Sequence, residues 1–214
     1  LVLRGNTSPL NGMRMQKTFE LIGNGQVRIS VTVTNERTRP VTWNIWSNTR
    51  FHPEGKSGFP IPKKGKQTFT FDSWRPYNER PLPFDVQDGI CSFSRPTQHE
   101  LQEHEFFGKL TFFQYRPIVA TYKDNLFIKE VGHDVAPGPC PEEHAPLEIY
   151  QRYSNQARGP IMELELHSPE FTLAPGESAE FSERWSLSQL SAEQATQSFE
   201  QIANQAIHRH NIKN

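Results

Sequence analysis

The sequence offers few cysteines, no charge of either sign in excess and no long apolar run. The two cysteines of the 214 residues, Cys91 and Cys140, lie far apart. They allow one disulfide or two free buried thiols, and a pair in a chain of this size identifies no oxidising compartment. A formal net charge of -1 gives no general attraction to nucleic acid or to an anionic membrane. No segment approaches the ~20 apolar residues that a membrane-crossing helix needs. There is no phosphate-cradling glycine loop, no Ser-His-Asp signature and no nucleic-acid footprint. Neither a cofactor nor a nucleic-acid or membrane partner is therefore expected. The chain opens on Leu1 with no signal peptide, as expected of a processed product or a piece of a longer polypeptide, with N-terminal strands before it. Compartment and oligomeric state stay open.

Helical stripes of lysine and glutamate are nearly absent, whereas proline (17) and phenylalanine (15) are abundant, which favours an all-β protein rich in turns. Residues 15–22 and 26–34 read as a hairpin around Gly23-Asn24-Gly25. In the second strand Val27, Ile29, Val31 and Val33 alternate with Arg28, Ser30, Thr32 and Thr34. Residues 41–48 read as one strand that puts Trp43 and Trp46 on opposite faces. Further strands are expected at 67–71, 109–113, 118–122, 125–131, 147–153, 161–167 and 178–187. Residues 52–66, 74–96 and 132–146 are rich in glycine or proline and read as irregular. Near the end, Ser191 and Gln194 resemble a capping box, and Ala195, Phe199, Ile202 and Ala206 recur at helical spacing. The expected organisation is an antiparallel sandwich over 1–190, with a C-terminal amphipathic helix over 191–214 packed on the same domain.

The strand 161–167 carries the clearest chemical signal. Met162, Leu164 and Leu166 form one face; Glu163, Glu165 and His167 form the other. Two carboxylates and an imidazole in one row suit a surface that meets a polar ligand. The alternative is a solvated face with cross-strand pairs.

The segments Met162-Glu163-Leu164-Glu165-Leu166-His167-Ser168-Pro169, Leu173-Ala174-Pro175-Gly176-Glu177-Ser178 and Trp185-Ser186-Leu187 resemble the end of a galactose-mutarotase-like domain. Further marks are Gly12-Met13-Arg14, Pro40-Val41-Thr42-Trp43, Pro53-Glu54-Gly55 with Pro60-Ile61-Pro62, Leu126-Phe127-Ile128-Lys129 and Leu147-Glu148-Ile149-Tyr150. Together they are similar to an uncharacterised branch of that superfamily. The resemblance implies a β-supersandwich whose concave face holds a sugar or oligosaccharide.

Aldose 1-epimerases of the superfamily open and reclose a sugar ring with a Glu as base and a His as acid. The resemblance puts the base on Glu165 and puts Trp46 where the acid His would stand. Trp cannot protonate a ring oxygen, but it can stack on a sugar face. His167 and His52 are the candidates to supply the missing acid, whose loss costs typically ~10²–10⁴-fold.

Trp46, Asn48, Glu163 and His167 are thus expected to line the sugar site, with Arg14 and Lys129 from the matching motifs and Glu148 as a second carboxylate. The plain alternatives are core packing for Trp46, surface charge for Arg14 and Lys129, and one half of a salt bridge for Glu148. Cys140 and His144, with His133 and Asp134 upstream, make up no complete tetrahedral ligand set, so no metal is expected. Three readings follow: a carbohydrate-binding protein, an aldose 1-epimerase, or a non-catalytic interaction domain of a polysaccharide-handling protein.

Overall fold

The computed structural model describes residues 1–62, 69–72, 79–136, 138–141, 144–154 and 159–212. In chain order the first strands are β1 (Val2–Arg4), β2 (Met13–Gly23), β3 (Gln26–Asn35), β4 (Val41–Trp43), β5 (Trp46–Phe51) and β6 (Lys56–Pro60). Then come β7 (Phe69–Asp72), β8 (Glu79–Pro81), β9 (Phe84–Gln87), β10 (Ile90–Phe93), the short helix α1 (Gln98–Glu103), β11 (Glu105–Phe112) and β12 (Ile118–Tyr122). The chain closes with β13 (Asn125–Val131), β14 (Leu147–Tyr153), β15 (Ile161–His167), β16 (Phe171–Leu173), β17 (Ser178–Gln189) and helix α2 (Phe199–Ile212).

Among the described residues, a nine-stranded sheet runs in the order β1-β2-β3-β17-β13-β12-β6-β10-β9. A six-stranded sheet runs β5-β15-β14-β11-β7, with β8 added beside β11. The inner faces meet through Ile29, Val31, Val33, Phe181, Phe127 and Phe59 on one side and Leu110, Ile149, Met162, Leu164 and Leu166 on the other. This is the all-β sandwich that the alternating patterns imply. The β2–β3 hairpin turns at Gly23, Asn24 and Gly25, all with positive φ (99°, 48° and 72°), a conformation that glycine and asparagine tolerate best.

α2 lies on the outer face of the nine-stranded sheet, where Phe199, Ile202, Ala203 and Ala206 pack on Ile90, Val119, Leu126 and Ile128. Gly58 makes this approach possible, because a Cβ there would stand 2.5 Å from the Cys91 carbonyl oxygen and 3.1 Å from the Phe199 ring. The reciprocal bonds of Ser191 and Gln194 form as expected, but they lead into a 3₁₀ turn at Gln194–Thr196 rather than into α2. A second such pair, Ser198 and Gln201, precedes α2 itself. None of the described helices is long and apolar enough to cross a membrane.

Several sequence expectations change. Residues 41–48 are two strands, not one: β4 pairs with β16, and β5 joins the six-stranded sheet. The break falls at Asn44-Ile45, where the Ile45 N–H bonds to Ser168 Oγ and the Ser168 N–H returns to the Ile45 carbonyl. The stretch 52–66 contains β6, and 74–96 contains β8, β9 and β10. Residues 63–66 and 74–78 of those stretches, with Glu142 and Glu143, lie outside the described residues. Of the two options the sequence leaves open for the cysteines, Cys91 and Cys140 take the free-thiol one.

Lys129 is the largest correction. It lies fully buried between the sheets, not on a ligand-binding face. Its ammonium donates to the carbonyls of Ser47 (2.8 Å) and Leu164 (3.0 Å) and to Thr49 Oγ1 (2.9 Å), and stands 3.3 Å from Glu183 Oε2. Burial pushes its pKa down, and Glu183 opposes that shift. Every donor has a partner, and Lys129 ties β13 to β5 and β15 across the interior. Replacing it leaves the buried Glu183 carboxylate with the Ser47 hydroxyl but without its countercharge. Lys129→Ala is expected to lower stability by about 3–5 kcal/mol, read by urea unfolding. Adding Glu183→Gln should return part of the loss; equal stability of wild type and Lys129→Ala would refute the role.

Candidate functional site

The strand register gathers the site. β14 and β15 pair so that Glu148 lies directly opposite Glu165. β15 and β5 pair so that Asn48 lies opposite Glu165 and Trp46 opposite His167. By strand alternation these side chains share the outer face of the six-stranded sheet. β11 adds Lys109, and the chain just before β14 folds His144 over the same spot.

Glu148 and Glu165 are 0% and 1% exposed, so this row is no solvated face. Lys109 Nζ contacts Glu148 Oε2 and lies 3.2 Å from Glu165 Oε2. His167 Nε2 lies 3.3 Å from Glu148 Oε2 and 4.0 Å from Glu165 Oε2. His144 Nδ1 lies 3.4 Å from Glu148 Oε1, which also accepts the Ala145 N–H at 3.0 Å. The Trp46 indole N–H donates to Glu165 Oε2 at 3.2 Å, and Asn48 Nδ2 stands 3.5 Å from Glu165 Oε1. The His167 ring is stacked between Trp46 (centroids 6.3 Å apart) and His144 (4.6 Å). Tyr115 Oη donates to the His167 carbonyl at 2.6 Å.

The two carboxylates are driven apart electrostatically. Burial pushes the Glu165 carboxyl up, Lys109 pulls it down, and Glu148 pushes it up again, leaving it at about 7. Burial acts on Glu148 in the same sense. There the His167 and Lys109 groups against it, with the Ala145 N–H, prevail and hold it well below the usual carboxylate range. Burial also works against the Lys109 ammonium, but the two carboxylates hold its pKa above the ordinary value.

Above this floor opens a cavity of about 480 Å³, lined by Trp43, Asn44, Trp46, Lys109, His144 and His167, with Met15 and Ile45 at its side. Trp43 and Trp46 reach the same cavity because the chain breaks between β4 and β5. Glu165 does not line it: Trp46 and Lys109 stand over the carboxylate. His144, Glu148 and His167 each present a ligating atom within 4.8 Å of the others.

The structure brings together Glu165, Glu148, Trp46, Asn48 and His167 of the residues singled out by sequence. Glu163 points the same way but lies farther along the strand, paired with the exposed Arg50 at 3.1 Å. Arg14 turns away from the cavity that its neighbour Met15 lines, and pairs with Glu36. His52 stacks on Tyr122 at 3.6 Å between ring centroids. His133 lies 3.3 Å from Arg184, and Asp134 accepts from Ser182, so neither joins His144. Cys140 Sγ lies against the Ser168 carbonyl at 3.9 Å. Sequence reasoning missed Lys109, and it paired His144 with Cys140 rather than Glu148. The His144-x3-Glu148 spacing and a lysine set among the mostly apolar residues 106–112 were the available signals.

A family model described as Domain of unknown function (DUF4380) matches residues 1–188. The chain belongs to that family. No curated protein matches it. Its fold is similar to a galactose mutarotase-like protein from Lactobacillus casei: TM-score 0.51, 12% identity, over 87% of this chain and 68% of that one. It is also similar to a TPR-domain containing protein from Parabacteroides distasonis: TM-score 0.54, 13% identity, over 90% of this chain and 33% of that one. A candidate aldose 1-epimerase from Escherichia coli aligns with TM-score 0.48 and 13% identity, over 88% of this chain and 64% of that one. The chain thus spans less than two thirds of the Escherichia coli and Parabacteroides proteins. The family member has the galactose-mutarotase-like β-sandwich that its motifs resemble.

The raised Glu165 carboxyl has a measurable consequence. Its folded pKa exceeds the ordinary 4.5, so the folded state holds a proton that the unfolded chain has lost. The resulting contribution to stability is complete below pH 4.5 and is lost as the pH rises through about 7. Glu165→Gln should flatten this fall in stability, measured by denaturant unfolding across that range. An unchanged pH profile in the variant would contradict the assignment.

Proposed function

We propose that the protein binds a carbohydrate in the cavity between Trp43 and Trp46. One observation carries the reading: Trp46, 58% exposed, offers its ring to the cavity while its indole N–H is anchored on the buried Glu165. A sugar presents an apolar C–H face and a rim of hydroxyls. A fixed aromatic plane beside Lys109, His144, Asn44 and His167 meets both requirements. The likeness of fold to a galactose mutarotase-like protein agrees with this ligand class.

A second reading is aldose 1-epimerase activity. It is favoured by the cluster of proton-transfer groups, with His167 Nε2 4.0 Å and Lys109 Nζ 3.2 Å from Glu165 Oε2. In that reading Glu165 is the base, and Lys109 or His144, both at the cavity wall, is the acid. Trp46 must then swing away, because it stands over Glu165. Binding without catalysis needs no such movement and is the first choice. The interaction-domain reading keeps the fold but leaves the cavity without a ligand.

Tryptophan fluorescence titrated with a panel of mono- and oligosaccharides should change saturably. Trp46→Ala should weaken the best ligand by roughly ten- to a hundredfold, as loss of a stacking platform worth about 1–3 kcal/mol implies. Polarimetry of fresh aldose solutions separates the readings. Acceleration abolished by Glu165→Gln supports the epimerase, binding without acceleration supports the first reading, and neither signal defeats both.

A further inference from the structure

We propose that His144, Glu148 and His167 form a divalent transition-metal site at the base of the cavity. The three come from the segment before β14, from β14 and from β15, so the fold adds His167 to a local His144-x3-Glu148 pair.

The spacing is the first argument. The two imidazole nitrogens lie 3.4 and 3.3 Å from the two oxygens of Glu148. Ligands held about 2.0–2.2 Å from a tetrahedral ion stand roughly 3.4 Å apart. The ligand atoms fall within 4.8 Å of one another, so a modest turn of the half-exposed His144 closes the set. An organic ammonium would need hydrogen bonds of about 2.7–2.9 Å to each partner and finds less room between them.

The second argument is independent of spacing. His144 Nδ1 and His167 Nε2 are buried atoms that make no hydrogen bond with acceptable geometry, whereas Glu148 Oε2 has the Lys109 ammonium against it. Buried polar atoms normally have such partners. Two orphaned imidazole nitrogens facing the two oxygens of one carboxylate are accounted for by one shared ion.

Charge supplies the third. Two buried carboxylates share one ammonium, Lys109. An added cation lets Glu148 serve the metal while Lys109 pairs with Glu165, which it already approaches at 3.2 Å. Support around the set is in place. The Ala145 N–H fixes one Glu148 oxygen, and the Asn44 amide stands 3.4 Å from His167 Nδ1. Turned to present its oxygen, that amide would receive the Nδ1 proton and leave Nε2 free to ligate. Two nitrogens and one carboxylate suit zinc or a neighbouring first-row ion. His144 and His167 line the cavity, so the fourth position faces whatever enters it.

The test uses the metal alone, with no sugar. Zinc titrated calorimetrically into chelator-treated protein should bind at one equivalent, and cobalt should show the visible absorption of a tetrahedral site. His144→Ala should weaken both at least tenfold and abolish the cobalt spectrum, and Asn44→Ala should weaken zinc roughly 10–100-fold. His144 sits at the surface, with 41% of its side chain exposed, so its replacement leaves the buried floor in place. Absence of saturable binding, or binding unchanged by His144→Ala, overturns the site.

Discussion

Two carboxylates directly opposite each other on adjacent strands cannot both be buried and charged without a cation between them. Glu148 and Glu165 stand in that relation, and the arrangement around them answers it. Lys109 reaches both. The remaining imbalance is settled unequally: Glu148 keeps its charge under Lys109, His167 and Ala145, whereas Glu165 holds a proton more tightly. Such a division of neighbouring acids is common where proton transfer or cation binding takes place. It also makes register essential. A one-residue slip of β15 would send Glu165 into the core and Leu164 into the cluster.

The register is secured from the opposite side of the sheet. Leu164 and Leu166 lock β15 into the apolar interior, and Lys129 grips the Leu164 carbonyl from β13. The same ammonium holds Ser47 and Thr49 of β5. The alternate residues of β5 are Trp46 and Asn48, which meet Glu165 on the outer face. A buried ion pair on one side of the six-stranded sheet therefore aims the side chains on the other. Lys129, expected to contact a ligand, instead helps to set where Trp46 and Asn48 stand.

Much of the fold was legible because period-two alternation is hard to mistake where one face is apolar. Val27 to Val33 and Met162 to Leu166 are examples, and the C-terminal helix was equally plain from its spacing. Other elements were hidden for physical reasons. β6 carries Gly58 because α2 and β10 press against it, so its sequence looks like a turn. The break at Asn44-Ile45 leaves the hydrophobic pattern intact; its cause is the bond pair with Ser168, distant in sequence. Lys109 is easily passed over, because a lysine in a strand reads as an ordinary charge until Glu148 and Glu165 stand beside it. Glu165 and Trp46 were recognised through the resemblance, but their mutual hydrogen bond was not.

That bond bears on the tryptophan that stands where the mutarotase resemblance would place an acid histidine. An imidazole across a sugar from Glu165 would exchange protons with the ligand. An indole can only donate its N–H and keep it, and here it donates to Glu165 itself. The carboxylate is thereby drawn away from the cavity and becomes an anchor for the aromatic plane. The imidazoles that remain, His167 and His144, both face Glu148. The proton-carrying groups of this site are therefore organised around Glu148 and its imidazoles rather than around the pair that the mutarotase resemblance would place across the sugar.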